Sequence, residues 1–431
     1  MKLETYQNIV NDELVHSGHS YQELANQYGT PLYIFDEASF RKRIESYTAN
    51  FHSDLFETQV LFASKSLLTK AIAKIIAASP LGQDVVSAGE IFVGLAAGVK
   101  PDKMYFHGNN KSDEELVYAL QNEVGTIVLD NRMEASRLEQ IAEKLNKRPK
   151  VLLRINPGVE AHTHQYIQTA SLDSKFGESI FDDQIFELIT QLHESRFLNF
   201  VGFHSHIGSQ VFDRESFFKA SLAMMEFAQT SQEKTNYPIT EINFGGGFGV
   251  YYTEEDQPFE MAEFLPEFVK YIEKESDRLG LQLNKICIEP GRSLVNASGS
   301  TLYRIGDLKD TVSGKHYLFI DGGMSDNIRP ALYQAQYEAA ITNKITEPAT
   351  IEYTVAGKAC ESGDKLIENI TLPQAATGDL LLVNGTGAYN YTMASNYNRL
   401  ARPAMIHIDG AHHRLTVKRE TFEDMMKNEL D

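Results

Sequence analysis

The sequence predicts an α/β fold with an all-β addition: a (β/α)8, TIM-like barrel followed by a C-terminal antiparallel β domain, a sandwich or small barrel. Three observations carry this. Short apolar or β-branched runs alternate eight times with helix-period stretches over about 250 residues, the usual span of such a barrel. After about residue 300 the helical periods stop, and strand-like runs follow one another across Gly-rich turns. The chain has 431 residues, more than one average domain accommodates.

The elements follow in order. The first ~35 residues are too few for a domain and are expected to add a helix and a strand to the β domain. The predicted boundaries are therefore 1–36 for that segment, 37–300 for the barrel and 301–431 for the β domain. The barrel strands are read at QVLFASK (59–65), QDVVSA (83–88), KMYFHG (103–108), TIVLDN (126–131), KVLLRINPG (150–158), VGFHSHIGS (201–209), EINFGGG (241–247) and KICIEPGR (285–292). Each begins as the kind of run a strand buried on both faces requires. Between them, Leu68, Ile72, Ile75 and Ile76 share one helical face, as do Leu138, Ile141 and Leu145, and Ile185, Leu188, Ile189 and Leu192. Ser112 and Glu115 form a capping box ahead of a further helix. An open doubly wound sheet is the rival, but no dinucleotide fingerprint follows the first strand. STLYRIGDL, HYLFIDGG, TIEYTVAGKAC, GDLLLVNGTGAY and AMIHIDGAHHRLTVKRE supply the β domain.

Composition narrows the function. A hydrophobic share of 42% with 23% charged residues is ordinary globular usage and excludes wholesale disorder. The net charge of −19, with no basic run, argues against a nucleic-acid partner. Two cysteines, Cys287 and Cys360, cannot build a disulfide framework or a multi-thiolate zinc site, and no metal is expected. MKLETYQNIVNDE lacks a basic stretch followed by an apolar one, and no apolar run approaches the ~20 residues of a membrane span. A cytoplasmic protein without membrane attachment is expected.

Barrel enzymes carry their chemistry at the C-terminal ends of the strands. Those ends here hold Lys65, Asp84 with Ser87, His107, Asn109, Arg154 with Asn156, His206 with Ser209, Gly245–Gly247, and Glu289–Arg292. An enclosed lysine has its neutral form favoured and can form a Schiff base; the plain alternative is a surface lysine at a helix start. The glycines Gly245, Gly246 and Gly247, the GSQ loop with Ser209 and the neighbouring Arg292 could cradle a phosphate, although a lone Gly triplet is as often only a turn. No Walker A pattern occurs, which disfavours a nucleoside triphosphate. Glu289, where an apolar strand turns polar, needs a cationic or donor partner, either a salt-bridging residue or a protonated pyridine nitrogen. His206 could stack on a flat ring or be a hydrogen-bonded core histidine. Lysine, phosphate cradle, carboxylate and aromatic shelf together describe a pyridoxal 5'-phosphate site. Cys287, between Ile286 and Ile288, reads as a small core residue, whereas Cys360 lies in the polar CESGD. His162 and His164 read as loop residues, and His412 and His413 as solvated turn residues, not metal ligands.

FASK, DVVSAGE, YFHGNNKS, EAHTHQYI, DSKFG, HSHIGSQ, FGGGFG, EPGR, DGGMSDNIRPALY, GKACESGD and GAYNYTMASNYN resemble, in order from about residue 30 to about residue 410, the diaminopimelate decarboxylases. These belong to the alanine-racemase-like (fold III) group of pyridoxal phosphate enzymes. IRPALY and CESGD are the specific motifs, and the earlier ones are shared with ornithine and arginine decarboxylases. Two departures stand out: FASKSL around the lysine, where many relatives have a YAVKAN-type segment, and Asn390–Tyr391 after the GAY tyrosine, where many have a glycine and an aromatic. The resemblance implies decarboxylation of meso-2,6-diaminopimelate to L-lysine and CO2, the last step of lysine biosynthesis. It implies that Lys65 holds the cofactor, His206 stacks on its ring and Glu289 keeps the ring nitrogen protonated. Ser209, Gly245–Gly247, Gly291, Arg292 and Tyr389 would bind the phosphate. Arg292, Arg329, Tyr333, Glu361 and Tyr389 would hold the substrate, and Cys360 would protonate the product from the partner subunit of a homodimer. The rival substrates are ornithine, arginine and carboxynorspermidine, whose bare distal amines would call for an acidic pocket instead of Arg329. A catalytically dead relative would have lost the lysine or the cysteine, and this chain keeps both.

Overall fold

The computed structural model describes residues 1–159 and 174–430; His162 and His164 lie outside them. The chain divides into two compact units. One comprises Arg43–Gly249 and Pro258–Ser293, the other Met1–Lys42, Val250–Gln257 and Leu294–Asp431.

The first unit is a closed barrel. Its strands are β1 (Glu57–Ala63), β2 (Gly82–Val85), β3 (Met104–Phe106), β4 (Thr126–Leu129), β5 (Lys150–Asn156), β6 (Asn199–His204), β7 (Glu241–Asn243) and β8 (Lys285–Ile288). Each pairs in parallel with the next, and β8 closes the ring by pairing Ile286 with Thr58 and Ile288 with Val60 of β1. Both faces are covered, as an all-parallel sheet requires, so the strands are largely buried, polar residues such as Gln83, Glu241 and Asn243 included. The helices Lys70–Ala77, Arg132–Leu145 and Ile185–Glu194 bury the predicted faces: Ile72, Ile75 and Ile76; Leu138 and Ile141; Ile185, Leu188, Ile189 and Leu192. Leu68 and Leu145 are only partly covered. Ser112 and Glu115 make both bonds of the capping box that opens Asp113–Gln121.

The strands end earlier than their sequence runs suggest. β1 stops at Ala63, and Lys65 sits in the single 3-10 turn Ser64–Ser66; β6 stops at His204, two residues before His206. The polar residues at the mouth are therefore carried on loops just past the ladder, each seated on a rigid strand. Inside the barrel a small polar group fills the core: Tyr105 Oη donates to Glu241 at 2.6 Å, and Lys150 Nζ donates to the same carboxylate at 2.9 Å. Cys287 is fully buried beside them, and burial pushes its thiol well up, as a core cysteine requires.

The second unit is a sheet domain. Its central strand, Gly299–Asp310, pairs antiparallel with Leu32–Asp36 and Leu380–Asn384 through its first half and with His316–Ile320 through its second. The N-terminal segment contributes the helix Tyr21–Tyr28 and the strand Leu32–Asp36 to this sheet. The unit also takes in residues 37–42, Val250–Gln257 and 294–300, so it extends beyond the boundaries read from the sequence. Tyr252 explains the insertion, since it packs into the same apolar cluster as Tyr303, Ile305 and Tyr337. The sheet is not purely antiparallel: His316–Ile320 with Ile351–Ala356, and Leu32–Asp36 with Ala404–Asp409, run parallel. Long crossovers make those pairs, and strand periodicity in a sequence carries no direction. His412 and His413 begin the strand His412–Val417, and His413 Nδ1 lies 2.8 Å from Tyr28 Oη, so His413 is a packed residue. Among the described residues, no helix is long and apolar enough to cross a membrane.

Candidate active site

A cavity of about 380 Å³ opens among the loops past the barrel strands, lined by Lys65, Asp84, His107, Arg154, His206 and Glu289 among others. This is within the size of small-ligand pockets. Lys65 is the accessible amine on its wall. The loops that shape it are stitched by main-chain bonds. Ser205 N–H donates to Asn243 O at 3.0 Å, Glu289 N–H to Gly245 O at 2.7 Å, and Val211 N–H to Gly247 O at 3.0 Å. Ala63 N–H reaches Pro290 O at 3.2 Å.

Glycine is needed where these loops cross. A Cβ on Gly246 would lie 2.1 Å from Glu289 O, and one on Gly247, whose φ is +112°, would lie 2.4 Å from Gly208 O. Gly246→Ala is expected to destabilise the protein by roughly 1–3 kcal/mol, the cost of overpacking a site with no room to relax. Gly89→Ala, where the nearest atom is Ser87 Oγ at 3.6 Å, should leave the melting temperature unchanged or raise it. Thermal unfolding of the two variants beside the wild type checks this. An unshifted Gly246→Ala would mean that the loop crossing is looser than described.

Glu289 is the electrostatic centre. His204 Nε2 lies 2.9 Å from its Oε2, Asn243 Nδ2 donates to its Oε1 at 2.7 Å, and His107 Nε2 stands 2.7 Å from that same Oε1. Burial alone would raise its pKa, but His107 and His204 outweigh burial and hold the carboxyl well below its ordinary range. Asp84, 3.7 Å from His107 Nε2, goes the other way: burial and the Glu289 charge push it up to about 6, against the pull of His107. His206 Nδ1 accepts from Gly246 N–H at 3.2 Å. Burial first, then the charges of Lys65 and Arg154, keep this imidazole well below its ordinary pKa and therefore neutral. Arg292 donates from Nε and Nη2 to Ser209 Oγ, at 3.2 and 3.1 Å, beside the Gly245–Gly247 loop.

The barrel members of the predicted site thus come together: Lys65, His206, Ser209, Gly245–Gly247, Glu289, Gly291 and Arg292 occupy adjoining loops. They fit a phosphorylated pyridine aldehyde, with an accessible amine, a loop rich in main-chain N–H groups beside a guanidinium, and a buried anion. Two residues escaped the sequence reading, His204 and Asn243. Their signal was present: His204 is two residues before His206, at the polar end of the same apolar run, and Asn243 is a polar end to the buried run EIN.

Arg329, Tyr333, Cys360, Glu361 and Tyr389 belong to the sheet unit. Arg329 opens the helix Arg329–Tyr333 and is buried; its guanidinium lies 4.7 Å from the Tyr252 ring centroid and donates from Nη1 to Tyr337 Oη. The five-residue helix ends at Tyr333, and the chain turns Tyr337 back into the core beside that guanidinium. Cys360 is exposed, its N–H donating to Asn398 Oδ1 at 2.6 Å. Asp364 ties this loop down by accepting from Met324 N–H at 2.7 Å and Ala359 N–H at 2.8 Å. Tyr389 has φ +62°, a left-handed conformation that costs a non-glycine residue energy and that clusters at functional sites.

Residues 38–296 match the family model for the pyridoxal-binding domain of pyridoxal-dependent decarboxylases. The diaminopimelate decarboxylase of Bacillus subtilis (strain 168) is 44% identical over 407 residues, covering 94% of this chain and 93% of the relative. Among solved structures, diaminopimelate decarboxylase from M. jannaschii in complex with L-lysine superposes with a TM-score of 0.92 at 28% identity, over 99% of this chain and 98% of that one. The Helicobacter pylori enzyme complexed with L-lysine gives 0.86 at 31% identity, over 95% and 98%.

Proposed function

The chain belongs to the diaminopimelate decarboxylases within the pyridoxal-dependent decarboxylase family, and from that premise we propose that it decarboxylates meso-2,6-diaminopimelate to L-lysine and CO2. The observation that carries this reading is the 44% identity along nearly the whole of both chains. The cavity around Lys65 supplies what the reaction needs.

Pyridoxal 5'-phosphate supplies a protonated pyridine ring that takes up the electron pair left at the α-carbon when CO2 departs. Lys65, the accessible amine of the cavity, would hold the cofactor covalently. Main-chain N–H groups of Gly245, Gly246 and Gly247, the Ser209 hydroxyl, Gly291, the Arg292 guanidinium and the Tyr389 hydroxyl hold the phosphate. His206, fixed by the Gly246 N–H, offers a flat neutral face to the ring. Glu289 keeps the ring nitrogen protonated, without which the electron sink weakens. The reacting end of the substrate has to be held in one orientation, so its distal end has to be gripped. Arg292, Arg329, Tyr333, Glu361 and Tyr389 make that grip. Cys360 would return a proton to the α-carbon once CO2 has left. Cys360 comes from the second chain of a homodimer whose active site lies at the subunit interface. The proposed location is the cytoplasm, whose reducing conditions suit two free cysteines.

Steady-state CO2 release from diaminopimelate, ornithine, arginine and lysine tests the substrate. Arg329→Ala should lose roughly one to two orders of magnitude in kcat/KM on diaminopimelate while retaining cofactor, because a charge-assisted bond to the distal carboxylate contributes about 1.5–3 kcal/mol. A wild-type preference for ornithine, or an Arg329→Ala variant as active as wild type, would overturn the substrate assignment.

A further inference from the structure

The bonding around Glu289 fixes more than its presence. Asn243 Oδ1 accepts from Gly245 N–H at 3.0 Å, so its amide can face only one way, with Nδ2 toward Glu289 Oε1. His204 presents Nε2 to Glu289 Oε2, and its Nδ1 is buried with no hydrogen-bond partner among the described residues. A proton on that Nδ1 would be a buried donor without an acceptor, which costs free energy. His204 is therefore neutral and carries its single proton on Nε2, where it donates to the carboxylate; burial lowers its pKa to about 4, in agreement. His107 presents the same Nε2 to Glu289 Oε1 at 2.7 Å and to Asp84 Oδ1 at 3.7 Å. Arg154 and Lys65 line the same cavity, yet among the described residues neither pairs with Glu289.

The distinction between neutral and charged partners matters. A lysine or arginine on Glu289 would hold it ionised but cancel its field. Neutral donors such as Asn243 and His204 favour the ionised form without cancelling its charge. A carboxylate oxygen has two lone pairs. Among the described residues, Oε1 faces Asn243 and His107, whereas Oε2 faces His204 and has a second lone pair to offer.

We propose that His204 and Asn243 are positioning residues that hold Glu289 as an anion, with Oε2 left to accept a hydrogen bond from the protonated pyridine nitrogen. This rests on the pyridoxal reading above and adds to it how the ring proton is secured. Neither residue takes part in bond making.

The test is to reconstitute the enzyme with pyridoxal phosphate labelled with 15N in the ring and to read the nitrogen resonance, which reports protonation directly, in wild type, His204→Ala, His204→Gln and Asn243→Ala. Wild type should show a protonated ring nitrogen at neutral pH. His204→Ala and Asn243→Ala should shift the resonance toward the unprotonated form while cofactor remains bound, and His204→Gln, which keeps a neutral donor, should restore it. A purely structural role would lower the melting temperature and cofactor affinity without moving the resonance of the cofactor that stays bound. That result, or a shift in His204→Gln as large as in His204→Ala, overturns the proposal. Should His204→Ala fail to fold, the wild type still decides: a ring nitrogen that loses its proton near neutral pH refutes the proposal unaided. If borohydride reduction of the wild type leaves no cofactor on Lys65, the functional reading itself fails. If cofactor is on Lys65 and the ring nitrogen ignores both residues, only this inference falls.

Discussion

Lys65→Ala is expected to fold as the wild type does, to carry no covalently held pyridoxal phosphate and to release CO2 at least about three orders of magnitude more slowly, on the scale that loss of a covalent catalytic group costs. Folding should survive because Lys65 is exposed and sits in a single 3-10 turn past the end of β1, so that removing its side chain opens no void in the core. The apolar anchors of that turn, Leu67 and Phe62, remain buried. The loss of chemistry should be severe because the other cationic groups on the cavity wall cannot replace a free amine. Arg154 is a guanidinium and a poor nucleophile, and Lys111 is spoken for, its Nζ donating to Glu134 at 2.6 Å, Val128 O at 2.7 Å and Gly108 O at 2.8 Å. Borohydride reduction of the wild type followed by peptide mapping should place the cofactor on Lys65 alone. Cofactor found on Lys111, or a Lys65→Ala variant that keeps its visible absorbance band and its rate, would refute the assignment.

Lys65 also shows which parts of this site a sequence can reveal. A buried strand that turns polar is a local signal, and so Lys65, Glu289, His206 and the glycine run were legible as strand ends without any knowledge of the partners. Their convergence followed from the barrel, because all parallel strands deliver their ends to one mouth. What stayed illegible is what only three-dimensional contact creates. Asn243 and His204 matter through Glu289, which is 46 residues away from the one and 85 from the other. The segment Val250–Gln257 reads as a loop after a barrel strand, yet it joins the sheet unit, because Tyr252 has its apolar neighbours there. Nor does the sequence around Arg329 announce Tyr252 and Tyr337, whose ring and hydroxyl lie against its guanidinium. The two parallel pairings of the sheet domain were lost for the same reason: alternation identifies a strand and says nothing of its neighbour.

Mixing two inactive variants should restore activity if the site is completed by a second chain. Lys65 belongs to the barrel unit and Cys360 to the sheet unit, so a substitution in one leaves the other unit's functional residue intact. Both side chains are exposed, and neither Lys65→Ala nor Cys360→Ala should disturb folding. In a two-fold dimer whose sites each take Lys65 from one chain and Cys360 from the other, a mixed dimer of the two variants has one site with both defects and one with neither. Random reassortment makes about half of the dimers mixed, each with one of its two sites intact, so recovery should approach about a quarter of wild-type activity. A site built within one chain would recover nothing, because every site would then contain one defect or the other. The measurement is CO2 release from diaminopimelate after mixing in equal amounts, with subunit exchange followed independently by a tag on one variant. Recovery that rises with the extent of exchange and levels near a quarter is the expected result. Full exchange without recovery would place Lys65 and Cys360 of each site in the same chain, and the proton donor would then have to be sought within a single subunit.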